Sequence, residues 1–169
     1  MAERRGALTG ARHGAPVVRH NSIGLPSGCL GRVEVVSGDG GPAIKGIIFP
    51  ADITLDATGN MYIADYVNNK IRKVDANTGV ISSVTTPALN KPTGVTLDGS
   101  GRLIIADTYN NRILRQNTTG GVDFTVIGDS TLTPPIQRPR DVVVDTNGKL
   151  ILTNTGTNRL LQLDAPANS

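Results

Sequence analysis

The amino-acid sequence predicts an all-β fold made of repeated four-stranded antiparallel sheets. Three observations lead to this prediction: a similar stretch occurs three times, each copy contains short apolar runs rich in β-branched residues, and the same turn residues recur between those runs. The copies begin at Pro50, Pro92 and Pro139, so they are 42 and 47 residues apart. Repeats of this length are typical of the blades of a β-propeller or of solenoids built from helix pairs.

The short apolar runs favour strands over helices. They are too short for a helix that must bury an apolar stripe, and Val and Ile are common in them. An Asp-x-x-Gly turn, such as Asp56 to Gly59, joins the first two runs of every copy. This turn favours a hairpin, because Asp accepts hydrogen bonds from nearby N–H groups and Gly adopts a positive φ.

Four antiparallel strands in one repeat form a propeller blade. The sequence therefore predicts blades at 50–84 and 92–127 and a three-stranded blade at 139–164. Their predicted strands are 53–55, 61–64, 71–74 and 80–84, then 95–97, 103–106, 113–116 and 122–127, and finally 142–144, 150–152 and 160–163.

The repeated motifs resemble the NHL-repeat β-propeller family from residue 33 to about residue 164. The shared pattern is Pro-x-Gly/Asp-Val-x-Leu/Val-Asp-x-x-Gly, followed by Ile-Ala-Asp-x-x-Asn-Asn-Arg/Lys-Ile. WD repeats fit less well, because the chain contains no Trp. The sequence departs from the family pattern at the His positions, which are Asn69, Asn111 and Asn158, and at Thr153-Asn154, which replaces Ala-Asp in the third copy.

The repeats account for less chain than a closed ring normally uses. Propellers have four to eight blades, and six blades at this spacing would need on the order of 260 residues. Residues 33–36 are expected to form a lone fourth strand ahead of the first full blade. We therefore expect about three blades with exposed end faces. They would be either part of a longer protein or a half-ring that a second copy completes to six blades.

Basic charge is concentrated at the amino-terminal end of the sequence. The formal net charge is +3, and residues 1–32 contain five arginines against one acidic residue, Glu3. This segment has neither a strand nor a helix period, so it is expected to be a disordered basic leader; an organelle transit peptide is the alternative. The repeat region itself is close to neutral.

The repeats contain few residues suited to catalysis or metal binding. The histidines, His13 and His20, both lie in the leader, and Cys29 is the one cysteine. A His-ligated zinc site or a Ser-His-Asp triad needs histidine in the folded region. We therefore expect no catalytic residue, no metal and no cofactor. A membrane partner is not expected either, because no apolar run is long enough to span a bilayer.

The loops on one propeller face form the candidate binding face. Because successive strands alternate in direction, the loops after the second and fourth strands emerge together, opposite the Asp-x-x-Gly turns. Asp65 and Asp107 are expected to be scaffold residues that cap backbone N–H groups and face Lys70 or Arg112. The candidate binding residues are Tyr66, Asn68, Asn69, Tyr109, Asn110, Asn111 and Arg112.

These observations predict a non-enzymatic binding or scaffold module whose loops contact a protein or peptide partner. The alternative is a fragment of a six-bladed propeller enzyme, either a lyase or a lactonase-like hydrolase. Binding of single-stranded RNA is a third, less favoured hypothesis, because acidic residues share the candidate face and its aromatic residues are few.

Overall fold

Short β-strands form nearly all of the regular structure. The computed structural model describes residues 39–43 and 48–164, so the predicted leader 1–32 and the predicted strand 33–36 lie outside the described residues. The described strands are β1 (Pro50–Leu55), β2 (Met61–Asp65), β3 (Lys70–Val74), β4 (Ile81–Ser83), β5 (Gly94–Leu97), β6 (Leu103–Asp107), β7 (Arg112–Gln116), β8 (Phe124–Gly128), β9 (Pro139–Val144), β10 (Leu150–Asn154) and β11 (Arg159–Leu163).

The strands form three antiparallel sheets that follow the three sequence copies. Blade 1 has the order β1-β2-β3-β4, blade 2 has β5-β6-β7-β8, and blade 3 consists of β9, β10 and β11 with β10 in the centre. Within each blade, every strand pairs with its neighbour in sequence. This arrangement confirms the predicted all-β propeller fold with two four-stranded blades and one three-stranded blade.

Three strands begin two or more residues away from their predicted starts. β1 and β9 begin at Pro50 and Pro139, three residues before the predicted runs. Proline lacks an N–H group and is tolerated as the first residue of a strand. β8 begins at Phe124 instead of residue 122, because the Asn117 N–H group bonds to the Asp123 carbonyl and closes a turn there.

The Asp-x-x-Gly turns have the geometry expected from their sequence. One Asp56 carboxylate oxygen accepts the backbone N–H groups of Thr58 and Asn60, both at 2.9 Å. Gly59 has φ 87°, a conformation that glycine adopts without steric cost. Asp98 and Asp145 accept the corresponding N–H groups in blades 2 and 3. The repeated motif thus builds the same hairpin three times.

Apolar side chains fill the two spaces between neighbouring blades. Blade 1 contributes Ala64 and Ile71 to the first cluster, and blade 2 contributes residues such as Val95. In the second cluster, Ala106 and Ile113 of blade 2 take the places of Ala64 and Ile71. The blades therefore pack face to face in one repeated arrangement, and this packing buries the apolar side chains.

The outer faces of the two end blades expose positions that are buried elsewhere in the fold. Leu160 of blade 3 is 72% exposed, whereas its counterparts Ile71 and Ile113 are 0% exposed. Ile53 of blade 1 is 56% exposed, whereas its counterpart Val95 is 2% exposed. In the described part of the chain, these side chains lack the neighbouring blade that covers the equivalent residues.

Candidate functional site

The turns after β2, β6 and β10 lie beside three buried polar side chains. Asp65, Asp107 and Asn154 are each 0% exposed and end their strands. Each accepts a backbone N–H group from the segment leading into the first strand of its own blade. The donors are Phe49 at 3.0 Å, Asn90 at 2.7 Å and Gln137 at 2.6 Å, respectively. Asn154 therefore performs the same capping as the two aspartates.

The charged partners of these caps differ between blades. In blade 2, Arg112 Nε donates to Asp107 Oδ2 at 2.7 Å, as expected. In blade 1, Asp65 pairs with Arg72, whose Nη1 atom lies 4.0 Å from Asp65 Oδ2, and not with Lys70. Arg72 is buried and also pairs with Asp39 at 3.1 Å. The prediction of a Lys70 partner is therefore wrong, because the buried guanidinium lies nearer to the carboxylate.

Three of the candidate binding residues are engaged by this scaffold. The side-chain amides of Asn68 and Asn110 donate to Asp65 and Asp107, each at 2.8 Å. Arg112 also donates to the Ala88 carbonyl oxygen at 2.8 Å. These contacts hold the turns in shape. That the same residues bind a partner stays a prediction.

Asn69 and Asn111 connect each blade to the next one. Both residues are in the left-handed region, with φ 56° and 53°. The side-chain oxygen of Asn69 accepts the Lys91 N–H group at 2.8 Å, and that of Asn111 accepts the Arg138 N–H group at 2.9 Å. Asn69 and Asn111 are therefore inter-blade contacts.

Tyr66 and Tyr109 come together across the boundary between blades 1 and 2. Their ring centroids are 6.4 Å apart with an interplanar angle of 70°, an edge-to-face arrangement. Lys91 Nζ lies 5.5 Å from the Tyr66 centroid and 4.9 Å from the Tyr109 centroid. The Arg138 guanidinium lies 5.6 Å from the Tyr109 centroid. We call Tyr66, Lys91, Tyr109 and Arg138 the tyrosine–cation cluster.

The electrostatic environment of the cluster is positive at the Tyr109 hydroxyl group. A hydrogen bond from Tyr66 and the charges of Lys91, Arg138 and Arg140 lower the pKa of Tyr109 below its usual value of 10.0. Tyr109 is 43% exposed, so this positive region is open to solvent. An anionic group that approaches this ring would be stabilised by the same charges.

An open cleft of about 400 Å³ lies next to the cluster, at the ends of the first strands of the three blades. Asp52 accepts the Val95 N–H group of the next blade at 2.9 Å, and Thr93 donates to the Arg140 carbonyl oxygen at 2.6 Å. These contacts hold the three strands side by side at the cleft. The side chains lining it are Ala51, Asp52, Tyr66, Thr93, Arg140 and Asp141.

Two cluster residues, Lys91 and Arg138, are not among the seven candidate binding residues, although the sequence places both on or near the candidate face as basic residues. Each directly precedes the proline that begins a copy, at Pro92 and Pro139. The basic residue before that proline in the second and third copies is the signal that would have added them to the binding residues. Both have a positive φ, 49° and 46°. A residue before proline normally favours an extended backbone, so the sequence does not predict this conformation.

The described residues contain no group of three or more metal-ligating side chains, and both histidines lie outside them. Among these residues, no helix is long and apolar enough to cross a membrane.

Comparison with known proteins identifies the repeat. Residues 89–115, which cover much of blade 2, match the family model described as the NHL repeat. No match was found among curated proteins.

Several solved structures have a similar fold. A virginiamycin B lyase from Staphylococcus aureus matches with TM-score 0.52 and 20% identity over 68% of this chain and 41% of that chain. A gluconolactonase from Xanthomonas campestris matches with TM-score 0.51 and 16% identity over 67% and 42%. A chain of a nidogen–laminin complex matches with TM-score 0.55 and 22% identity over 65% and 41%.

These identities are low, so the matches show the fold alone. The chain spans only about two fifths of each of these larger structures. Together with the repeat match, they confirm the resemblance recognised from the motifs. The described part of the chain is a three-blade segment of a β-propeller that carries an NHL repeat.

Proposed function

We propose that the chain is a non-enzymatic binding module that contacts a protein or peptide partner through the tyrosine–cation cluster and the adjoining cleft. The observation that carries this proposal is the exposed Tyr109 ring, which lies against Tyr66 and between two cations. Tyrosine and arginine are enriched at the centres of protein interfaces, where they combine apolar contact with hydrogen bonding.

The rigidity of the loops supports this proposal. The turn that carries Tyr109 is a short 3-10 segment, Thr108–Asn110, and its buried Thr108 hydroxyl donates to the Pro139 carbonyl oxygen of blade 3 at 2.8 Å. Asn111 then joins the same turn to Arg138. A ligand that binds such a pre-ordered surface loses little free energy in ordering it.

Selection of displayed random peptides on the purified full chain tests the proposal. Selected peptides should bind with measurable affinity, and Tyr109→Ala should weaken binding about tenfold or more, as expected for a central aromatic residue. Val122→Ala removes an exposed apolar side chain in a distant turn and serves as the matched control. Failure to select any peptide, or binding that Tyr109→Ala leaves unchanged, would overturn the proposal.

Catalysis is the second candidate, because a lyase and a gluconolactonase are among the similar structures. The test is to assay the full chain with gluconolactone and with virginiamycin B, in the presence of divalent metal ions. An active site would lie in the cleft if Arg140→Ala or Asp141→Ala abolished turnover and the control Val122→Ala retained it. That result would replace the binding proposal.

We also propose that a second copy covers the exposed end faces. Leu160 lies on the face of blade 3 that corresponds to the faces by which blades 1 and 2 pack against the next blade. Ile53 lies on the face of blade 1 that corresponds to the faces by which blades 2 and 3 pack against the preceding blade. Two copies related by a two-fold axis would repeat this contact twice and complete a six-bladed ring.

Sedimentation velocity tests the second-copy proposal. The full chain should sediment as a dimer, and Leu160→Glu should convert it to a monomer because a charge would be buried at each new contact. Val122→Glu adds the same charge in an exposed turn and should leave the dimer intact. A chain that is monomeric at all concentrations, or a dimer insensitive to Leu160→Glu, would contradict the proposal.

A further inference from the structure

The side chains of Lys91, Arg138 and Arg140 are not neutralised within the fold. Several other cations are paired: for example, Arg102 bonds to Asp98 and Arg112 to Asp107, at 2.8 and 2.7 Å. In the described part of the chain, Lys91, Arg138 and Arg140 make no ion pair within 4.0 Å. Their charge is therefore available to a ligand.

Two of these cations are positioned by the blade-to-blade contacts. The backbone of Lys91 is held by Asn69 and that of Arg138 by Asn111, through equivalent hydrogen bonds. The Lys91 side chain then extends over two aromatic rings, which attract a cation. Because the charges are already placed, a ligand anion need not order them on binding.

The cleft beside the cluster places two carboxylates next to Arg140. Asp52 and Asp141 line it, each with one carboxylate oxygen bonded at 2.8 Å to the N–H group of the following residue. A nucleic-acid strand presents a phosphate at every nucleotide, so part of it would lie against these carboxylates. A peptide can instead place a carboxylate at the cations and turn backbone N–H groups or a basic side chain toward the cleft.

We propose that the tyrosine–cation cluster recognises an acidic side chain of a peptide partner, with Lys91, Arg138 and Arg140 as the groups that contact its carboxylate. This inference rests on the proposed binding function and specifies the chemistry of the partner. The arginine side chains supply paired N–H donors that match the two carboxylate oxygens. The tyrosine rings provide the apolar surface around the contact.

Fluorescence anisotropy with defined probes tests this inference. The probes are a short glutamate-rich peptide, the same peptide with glutamine in place of glutamate, and a single-stranded oligouridylate of equal length. The glutamate peptide should bind at least about tenfold more tightly than the glutamine peptide, and added salt should weaken it. Equal affinity for the two peptides would overturn the inference.

Variants locate the contact on the surface. Lys91→Gln and Arg138→Gln should each weaken the glutamate peptide about fivefold to tenfold without removing a backbone contact. Lys149→Gln removes the same charge near the opposite end of blade 3, where Lys149 pairs with Asp164, and should leave affinity unchanged. Equal effects of all three variants would show non-specific attraction and contradict the inference.

The remaining outcomes separate this inference from the proposed function. Tighter binding of oligouridylate than of the glutamate peptide, with the same sensitivity to Lys91→Gln, would assign the cluster to nucleic acid and overturn the inference. Displayed peptides that bind through Tyr109 but contain no excess of acidic residues would also overturn it, while leaving the binding function intact. If no peptide of any composition binds, both proposals fail.

Discussion

The side-chain oxygen of Asn111 accepts a hydrogen bond from the backbone N–H group of Arg138 at 2.9 Å and joins blade 2 to blade 3. Asn158 is its counterpart in blade 3 and has nearly the same backbone conformation, with φ 54° against 53°. In the described residues, however, no blade follows Asn158. Comparing variants of the two residues therefore separates the energetic penalty of a positive φ from the stabilisation that the inter-blade hydrogen bond provides.

We predict that Asn111→Ala lowers the free energy of unfolding by about 1 kcal/mol more than Asn158→Ala does, because only the first variant leaves a partner N–H group unsatisfied. Both variants carry the same penalty of placing alanine at a positive φ. Urea unfolding of the full chain in the Leu160→Glu background, which lacks the proposed contact with a second copy, measures the difference. Equal destabilisation would mean that the Asn111 contact contributes nothing to blade packing.

The buried caps predict a difference between two replacements of Asp107. Asn154 caps the equivalent loop of blade 3 with an amide, so Asp107→Asn should keep the bond to the Asn90 N–H group. Asp107→Ala leaves that N–H group and Arg112 without their acceptor and should cost about 1–3 kcal/mol more than Asp107→Asn. Thermal unfolding compares the two variants. An Asp107→Asn variant less stable than Asp107→Ala would contradict the capping role inferred for this position.

The close approach of blades 2 and 3 at Gly94 gives a further prediction. A Cβ atom at Gly94 would lie 2.8 Å from the Arg140 carbonyl oxygen and 3.0 Å from the Asp141 Cα atom, both of which are backbone atoms that cannot rotate away. Gly94→Ala should therefore destabilise the fold by about 1–3 kcal/mol. Gly99→Ala, which meets no atom within 4 Å, should change stability by less than about 0.5 kcal/mol. Denaturant midpoints compare the two, and equal midpoints would contradict the packing.

The first hairpin turn predicts a dependence of stability on acid. Partial burial raises the pKa of Asp56, but hydrogen bonds from Asn60 and Thr58 outweigh it and lower the value to about 2. Because the folded pKa lies below the unfolded value of about 3.9, the ionised group stabilises the fold above about pH 4, and this contribution is lost as the pH falls toward about 2.

Asp56→Asn should thus be less stable than the wild type at neutral pH and approach it near pH 2. Urea unfolding at several pH values measures the convergence. Asp164→Asn is the control: Asp164 is 85% exposed and pairs with Lys149 at the surface, so its replacement should have little effect at any pH. A difference between Asp56→Asn and wild type that stays constant with pH would refute the prediction.

The tyrosine–cation cluster predicts an order of tyrosine ionisation. The pKa of Tyr109 is lowered by its hydrogen bond with Tyr66 and by nearby cations, whereas burial raises the pKa of Tyr62. In an alkaline titration followed by phenolate absorbance, Tyr109→Phe should remove an early step and Tyr62→Phe a late one. Lys91→Gln should raise the pKa of Tyr109, because it removes one of the stabilising charges. An unshifted early step in Lys91→Gln would mean that Lys91 does not lie near the ring in solution.

The local structure of this protein could be predicted from sequence because it depends on short-range chemistry. The Asp56 to Gly59 turn contains its own hydrogen-bond acceptor and its own positive-φ residue, so the hairpin follows from adjacent residues. The repeat spacing then predicted the blades, and the position of Asp107 before Arg112 predicted the buried cap. Each of these features involves groups that are close in the chain.

Contacts between blades required the tertiary structure. Tyr66 and Tyr109 occupy different positions in their repeats, so no periodic pattern indicates that their rings meet. Lys91 lies over both rings, and its backbone, at a positive φ, is bonded to Asn69, 22 residues away. The sequence alone thus determined the blades and the face that carries the loops. The packing of one blade on the next decided which side chains of that face are used by the scaffold and which, including Lys91, Tyr109 and Arg138, form the tyrosine–cation cluster.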